Sequence, residues 1–156
     1  MLKPIIVSKL SRKHRIKCEA FPGTTTDDMA HYIKPGLRRK PDKIIIHAGT
    51  NDLKSLSPKK IQKKITSICP SVQKDHQDTK IAILSIITRK DDPTLLDNIA
   101  KLNQSLKNYC DHNNIDFIDN SNITVRSLAK DGLHLNKKGI FEFSSNLRSY
   151  INSDNN

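Results

Sequence analysis

The chain has 156 residues, long enough for one domain with a real core and too short for two of ordinary size. Hydrophobic residues make up 35% and aromatics only 4%, so the core must be mostly Ile and Leu, and no apolar run approaches transmembrane length. The formal net charge of +11 points to nucleic acid or an anionic surface as a partner class, with no membrane-spanning role.

The basic residues are spread, in runs at 9–17, 38–43, 59–64 and at Lys137-Lys138, with little aromatic interleaving for base stacking. Each run reads more readily as a solvated face than as a nucleic-acid surface. Cys18, Cys69 and Cys110 are odd in number and widely spaced, which excludes a disulfide framework and a CxxC metal site. With no signal-like segment at the start, buried free thiols predict a cytoplasmic or nuclear location, unless a leader has been lost with an N-terminal truncation.

In chain order, Leu2 to Lys13 carries an apolar stripe (Leu2, Ile5, Ile6, Leu10) and predicts a helix. The alternation over 16–20 predicts a half-exposed strand, stopped by Phe21-Pro22-Gly23. Gly23 either makes a plain strand-to-helix turn or lets a backbone approach a ligand. A helix follows from Thr26, with Met29, Ile33 and Leu37 inward and its last turn weakened by Pro35-Gly36. Ile44-Ile45-Ile46 is an uninterrupted apolar run ending at Gly49, which predicts a strand buried on both faces at the centre of a parallel sheet. His47 within it reads as a satisfied core or near-site histidine.

Ser57-Pro58 opens a helix with Ile61, Ile65, Ile68 and Val72 in one stripe, and Pro70 should kink or end it. Thr79 to Ile87 predicts a second buried strand, and Asp92-Pro93 opens a helix carrying Leu95, Ile99, Leu102, Leu106 and Tyr109. The span 115–119 reads as a charged edge strand, and 120–130 as a loop. Asn136 caps a last helix with Ile140, Phe143, Leu147 and Tyr150 inward. One domain over 1–152 results, with a frayed polar tail at 153–156. Strands alternating with helices predict an α/β fold with a parallel sheet covered on both faces.

Two short stretches carry chemistry. Gly49-Thr50-Asn51-Asp52 follows a strand, where ligands of open α/β sheets sit, so Asn51 is either a donor at a site mouth or, with Asp52, a turn cap. Asp131-Gly132-Leu133-His134 sets a carboxylate three residues from an imidazole. An Asp that accepts from one ring nitrogen leaves the other free to act as a base, although surface pairs of this kind are common.

Together, in this order, these stretches resemble the SGNH hydrolases, also called GDSL esterases and lipases. The family hallmarks are Gly-x-Asn-Asp after a central strand and Asp-x-x-His before the last helix, and Gly23 in FPGTTT matches the lone Gly of a third block. The wording FPG…DM…YIKPGLRR…PDKIIIHAGTNDL more loosely resembles SGNH-type domains carried by animal retroelements. The resemblance implies a flavodoxin-like three-layer α/β/α sandwich with strand order 2-1-3-4-5. It also implies acyl-ester hydrolysis without metal or organic cofactor. In that chemistry His134 is the base, Asp131 holds its tautomer, Gly23 and Asn51 donate to the oxyanion, and Gly49 and Asp52 support the Asn51 loop.

One departure stands out. Family members begin with a strand leading into Gly-Asp-Ser, whose Ser is the nucleophile, and no Gly-Asp-Ser occurs in these 156 residues. Ser8, Ser11, Ser85 and Cys18 could replace it only by chemistry. Two readings stay open: a hydrolase domain lacking its first strand and close to inert as it stands, or an inactive domain that binds a partner such as nucleic acid. Without that strand the chain is expected to be unstable alone, unless the 16–20 strand moves over to close the gap.

Overall fold

The computed structural model describes residue 5 and residues 7–153. Three parallel strands, β1 (Lys43–Ile46), β2 (Lys80–Leu84) and β3 (Asp116–Ile118), form one sheet in the order β1-β2-β3. Ile44 pairs with Ile81, and Ala82 with Asp116. Alternate residues of the strands feed two cores. Ile46, Ile81 and Ile83 face α3 (Pro58–Thr66), α4 (Ile68–Asp75) and α5 (Leu96–Asn113). Ala82, Leu84 and Ile118 face α6 (Lys137–Asn152) together with Leu10. The result is the expected α/β sandwich with a parallel sheet.

Several local expectations change. The Ile44–Ile46 run reads as a central strand, yet β1 is an edge, with no second neighbour among the described residues. Ile44 and Ile45 stay half-buried, whereas Ile81 to Leu84 on β2 are buried throughout. Residues 16–20 form no strand and do not close the gap beside β1. A strand exists by pairing, and with no ladder to join this segment is tied by ion pairs instead, Glu19 meeting Lys17 and Arg39. The helix expected from Leu2 lies partly outside the described residues, and within them only Val7–Lys9 forms a single 3₁₀ turn. The Ser11 hydroxyl oxygen accepts from the Lys13 and His14 amides, so a side chain competes with the helix there. Of the tail expected to fray, only Ser153 is described, and its amide donates to the Ser149 carbonyl.

Prolines divide two of the predicted helices. The first becomes α1 (Thr26–Tyr32) and α2 (Lys34–Leu37), because Pro35 cannot donate to the carbonyl of His31. The second breaks at Ser67 between α3 and α4, since Pro70 leaves the Thr66 carbonyl without its helical donor. The Tyr109 hydroxyl reaches that carbonyl from α5 at 3.4 Å, so the break is met from a neighbouring helix.

Candidate functional site

The chain leaves β1 through His47 and Ala48 and turns at Gly49, whose φ is +107°. A Cβ there would lie 2.9 Å from Ile61 and 3.3 Å from Ile65, so the turn rests directly on α3 and needs glycine. Asp52 is 2% exposed. Its carboxylate accepts from the Thr26 amide and the Thr26 hydroxyl, both at 3.0 Å, at the start of α1. Asn51 stays exposed and its Nδ2 donates to the Thr24 carbonyl at 2.8 Å. Gly23, at φ +76°, stands beside Thr24 with open space where a side chain would be. Gly23, Asn51 and Asp52 therefore meet in one turn pair, in which Asp52 ties the Asn51 turn to the start of α1.

The second stretch is held by its own carboxylate. Asp131 Oδ1 accepts from the Leu133 and His134 amides, each at 2.9 Å, and its Oδ2 pairs with His134 Nδ1. These bonds, the two amides foremost, hold the Asp131 carboxyl well below the usual carboxylate range. With Nδ1 on Asp131, His134 Nε2 is the nitrogen left for a substrate or nucleophile, and the side chain is 37% exposed. Gly132, at φ +70°, lies so close to the chain that a Cβ would meet the Asp91 nitrogen at 2.8 Å. Behind the pair, Asn136 Oδ1 accepts from the Gly139 amide and caps α6, as expected. A Cβ on Gly139 would fall 2.2 Å from the Ser127 carbonyl oxygen, which seats the start of α6 against the preceding loop.

Arg89, which the sequence reading passed over, lies between the two stretches. Its side chain is 4% exposed; Nε and a terminal nitrogen donate to the two oxygens of Asp91 at 2.7 and 2.5 Å. The other terminal nitrogen reaches the Thr50 carbonyl at 3.5 Å. The guanidinium holds the Asp91 carboxyl low. The amides of Lys90 and Asp91 both donate to the Gly132 carbonyl, at 2.7 and 3.3 Å. The only clue in the sequence was one Arg among the charges of Arg89-Lys90-Asp91-Asp92, which looks like any solvated loop.

His47 also departs from expectation. Its Nδ1 is shielded from water and has no hydrogen-bond partner among the described residues, while the ring meets Phe143 edge-on at 6.0 Å. Burial pulls its pKa down to about 4. The residue as a whole is half-buried, and its shielded ring nitrogen makes it other than the satisfied histidine expected.

None of the four substitute nucleophiles joins the Asp131–His134 pair. Ser85 is 1% exposed and its hydroxyl oxygen accepts from the Asn120 amide. The Ser11 hydroxyl donates to Asn152, the last residue of α6, whereas His134 precedes the first. The helix has 16 residues and so separates them by roughly 24 Å. Ser8 lines the same cleft as Ser11. Burial, then the charge of Glu19, push the Cys18 thiol up, away from a reactive thiolate. The described residues contain no cluster of His, Cys, Asp and Glu able to hold a metal ion, and no described helix is long and apolar enough to cross a membrane. A cleft of about 460 Å³ opens at the far end of α6, lined by Ser8, Lys9, Leu10, Ser11, Arg12, Arg148 and Asn152.

An Asp–His pair and an exposed Asn on turns around a parallel sheet have the layout of an α/β hydrolytic domain. The chain belongs to the GDSL-like lipase/acylhydrolase family, which it matches over residues 4–139. Its fold is similar to that of a GDSL-like lipase from Bacteroides thetaiotaomicron, at 19% identity and a TM-score of 0.69, covering 83% of this chain and 71% of that one. A carbohydrate esterase family 3 protein from Talaromyces cellulolyticus gives 19% identity and a TM-score of 0.72 over 83% of this chain and 67% of that one. A member of the lipolytic G-D-S-L family from Veillonella parvula gives 16% and 0.68 over 86% and 77%. No relative among the curated proteins matches the chain.

Proposed function

We propose that the chain carries most of the site of a serine ester hydrolase acting on acyl esters. His134 Nε2 is the general base that takes the nucleophile's proton and returns it to the leaving alcohol, and Asp131 holds the tautomer through Nδ1. The Asn51 amide and the Gly23 backbone N–H donate to the oxyanion, with the Asn51 turn supported by Gly49 and Asp52. The reading requires a nucleophilic hydroxyl at His134 Nε2, of the kind a Gly-Asp-Ser strand joined beside the edge of β1 would bring. The observation that carries this reading is the Asp131–His134 pair, locked by three bonds on one carboxylate with Nε2 left over.

The test joins an apolar strand ending in Gly-Asp-Ser to Met1 and assays short acyl esters. The extended chain should hydrolyse them and lose ~10⁴-fold or more on His134→Ala. The chain beginning at Met1 should be near background. An extended chain that stays inactive, or an alanine variant as active as its parent, overturns the assignment.

A second reading, an inactive domain that binds nucleic acid, draws on the cleft that brings Lys9, Arg12 and Arg148 together. Retention on immobilised nucleic acid should then fall steeply with salt and be lost on changing these three residues to Glu.

A further inference from the structure

We infer that Arg89 is a positioning residue that sets the Asn51 turn at a fixed distance from the Asp131–His134 turn; this rests on the esterase reading of the site. Each turn is well held locally, Asn51 by Thr24 and His134 by Asp131. Neither set of bonds determines where one turn stands relative to the other, yet an oxyanion donor and a general base must serve the same carbonyl.

The bonds through Arg89 supply that relation. Its guanidinium reaches the Thr50 carbonyl, one residue before Asn51, and grips both oxygens of Asp91. The Asp91 and Lys90 amides then close on the Gly132 carbonyl, inside the Asp131–His134 turn. The loop and the turn are in close contact there, since a methyl group on Gly132 would lie 2.8 Å from the Asp91 nitrogen. A guanidinium that is 4% exposed is a poor device for stability alone, since losing water offsets what its ion pair returns. It is a good device for geometry. The planar fork fixes direction as well as distance, and a third donor on the same plane is left for Thr50. A lysine keeps the charge and loses the fork.

The experiment compares this chain with Arg89→Lys, using ¹⁵N NMR of the Asn51 side-chain amide and the His134 ring, and a urea midpoint for the fold. Both signals should move together in Arg89→Lys while the rest of the sheet does not. In the chain extended by Gly-Asp-Ser, kcat should fall roughly 10- to 100-fold with KM unchanged. If Arg89→Lys does not fold, Asp91→Asn, which weakens the grip from the more exposed partner, should give the same paired shift at smaller size. Changes confined to residues 89–92, or an unchanged kcat, overturn the inference. An extended parent with no activity overturns the esterase reading instead, and the paired NMR shift alone then decides the role of Arg89.

Discussion

The two halves of the site are built by opposite means. The Asn51 half is set into the core: Gly49 rests on Ile61, and the carboxylate of Asp52 is buried under Thr26. The Asp131 half lies nearer the surface: its side chains are ordered by hydrogen bonds within four residues, and only the Gly132 carbonyl is tied to a distant loop, at Lys90 and Asp91. Core packing specifies the first and local chemistry the second, so the same class of substitution should have unequal costs in the two.

The largest effect expected is from Gly49→Ala. A left-handed φ of +107° and a methyl group 2.9 Å from Ile61 add strain to overpacking, together about 4 kcal/mol, read as a lower urea midpoint. Next comes acid. His47 is held neutral with a pKa of about 4, below its ordinary 6.5, so the unfolded chain binds the extra proton between those values and stability falls as pH drops through that window. The loss should reach up to roughly 3 kcal/mol near pH 4, and His47→Phe should remove that part of the pH dependence. Asp52→Ala follows at about 2 kcal/mol, because the amide and hydroxyl of Thr26 would stay buried without an acceptor. If Asp52→Ala leaves the midpoint where it was, the Asn51 half is not core-anchored and the contrast fails.

How much of this was legible follows from the same division. Asp131, His134 and the cap at Asn136 are short-range features, and their spacing in the chain already fixes their geometry. The helix breaks at Pro35 and Pro70 were legible for the same reason, since a missing N–H acts four residues away. Ile44-Ile45-Ile46 misled because an apolar run records what a strand prefers, not how many neighbours it finds, and among the described residues β1 has one. Residues 16–20 misled in the same way: their alternation suits a strand, but among the described residues they pair with no other strand. Arg89 was missed because its meaning lies in Thr50 and Gly132, 39 and 43 positions away, and no local pattern encodes contacts at that range.

Asp131→Ala should give the smallest change in stability of the series, and it sharpens the comparison most. Asp131 is exposed, and the Leu133 and His134 amides it accepts from lie at the surface turn, where water can replace the carboxylate. The urea midpoint should therefore stay within error of the parent. The imidazole should not be so indifferent. Without Asp131 nothing holds the proton on Nδ1, and ¹⁵N shifts of His134 should report a mixture of tautomers in place of one. In the chain extended by Gly-Asp-Ser, kcat should fall by ~10⁴ at an unmoved midpoint. A variant that unfolds early, or that keeps a single Nδ1–H tautomer, would mean that the surface half is held by something other than its own carboxylate.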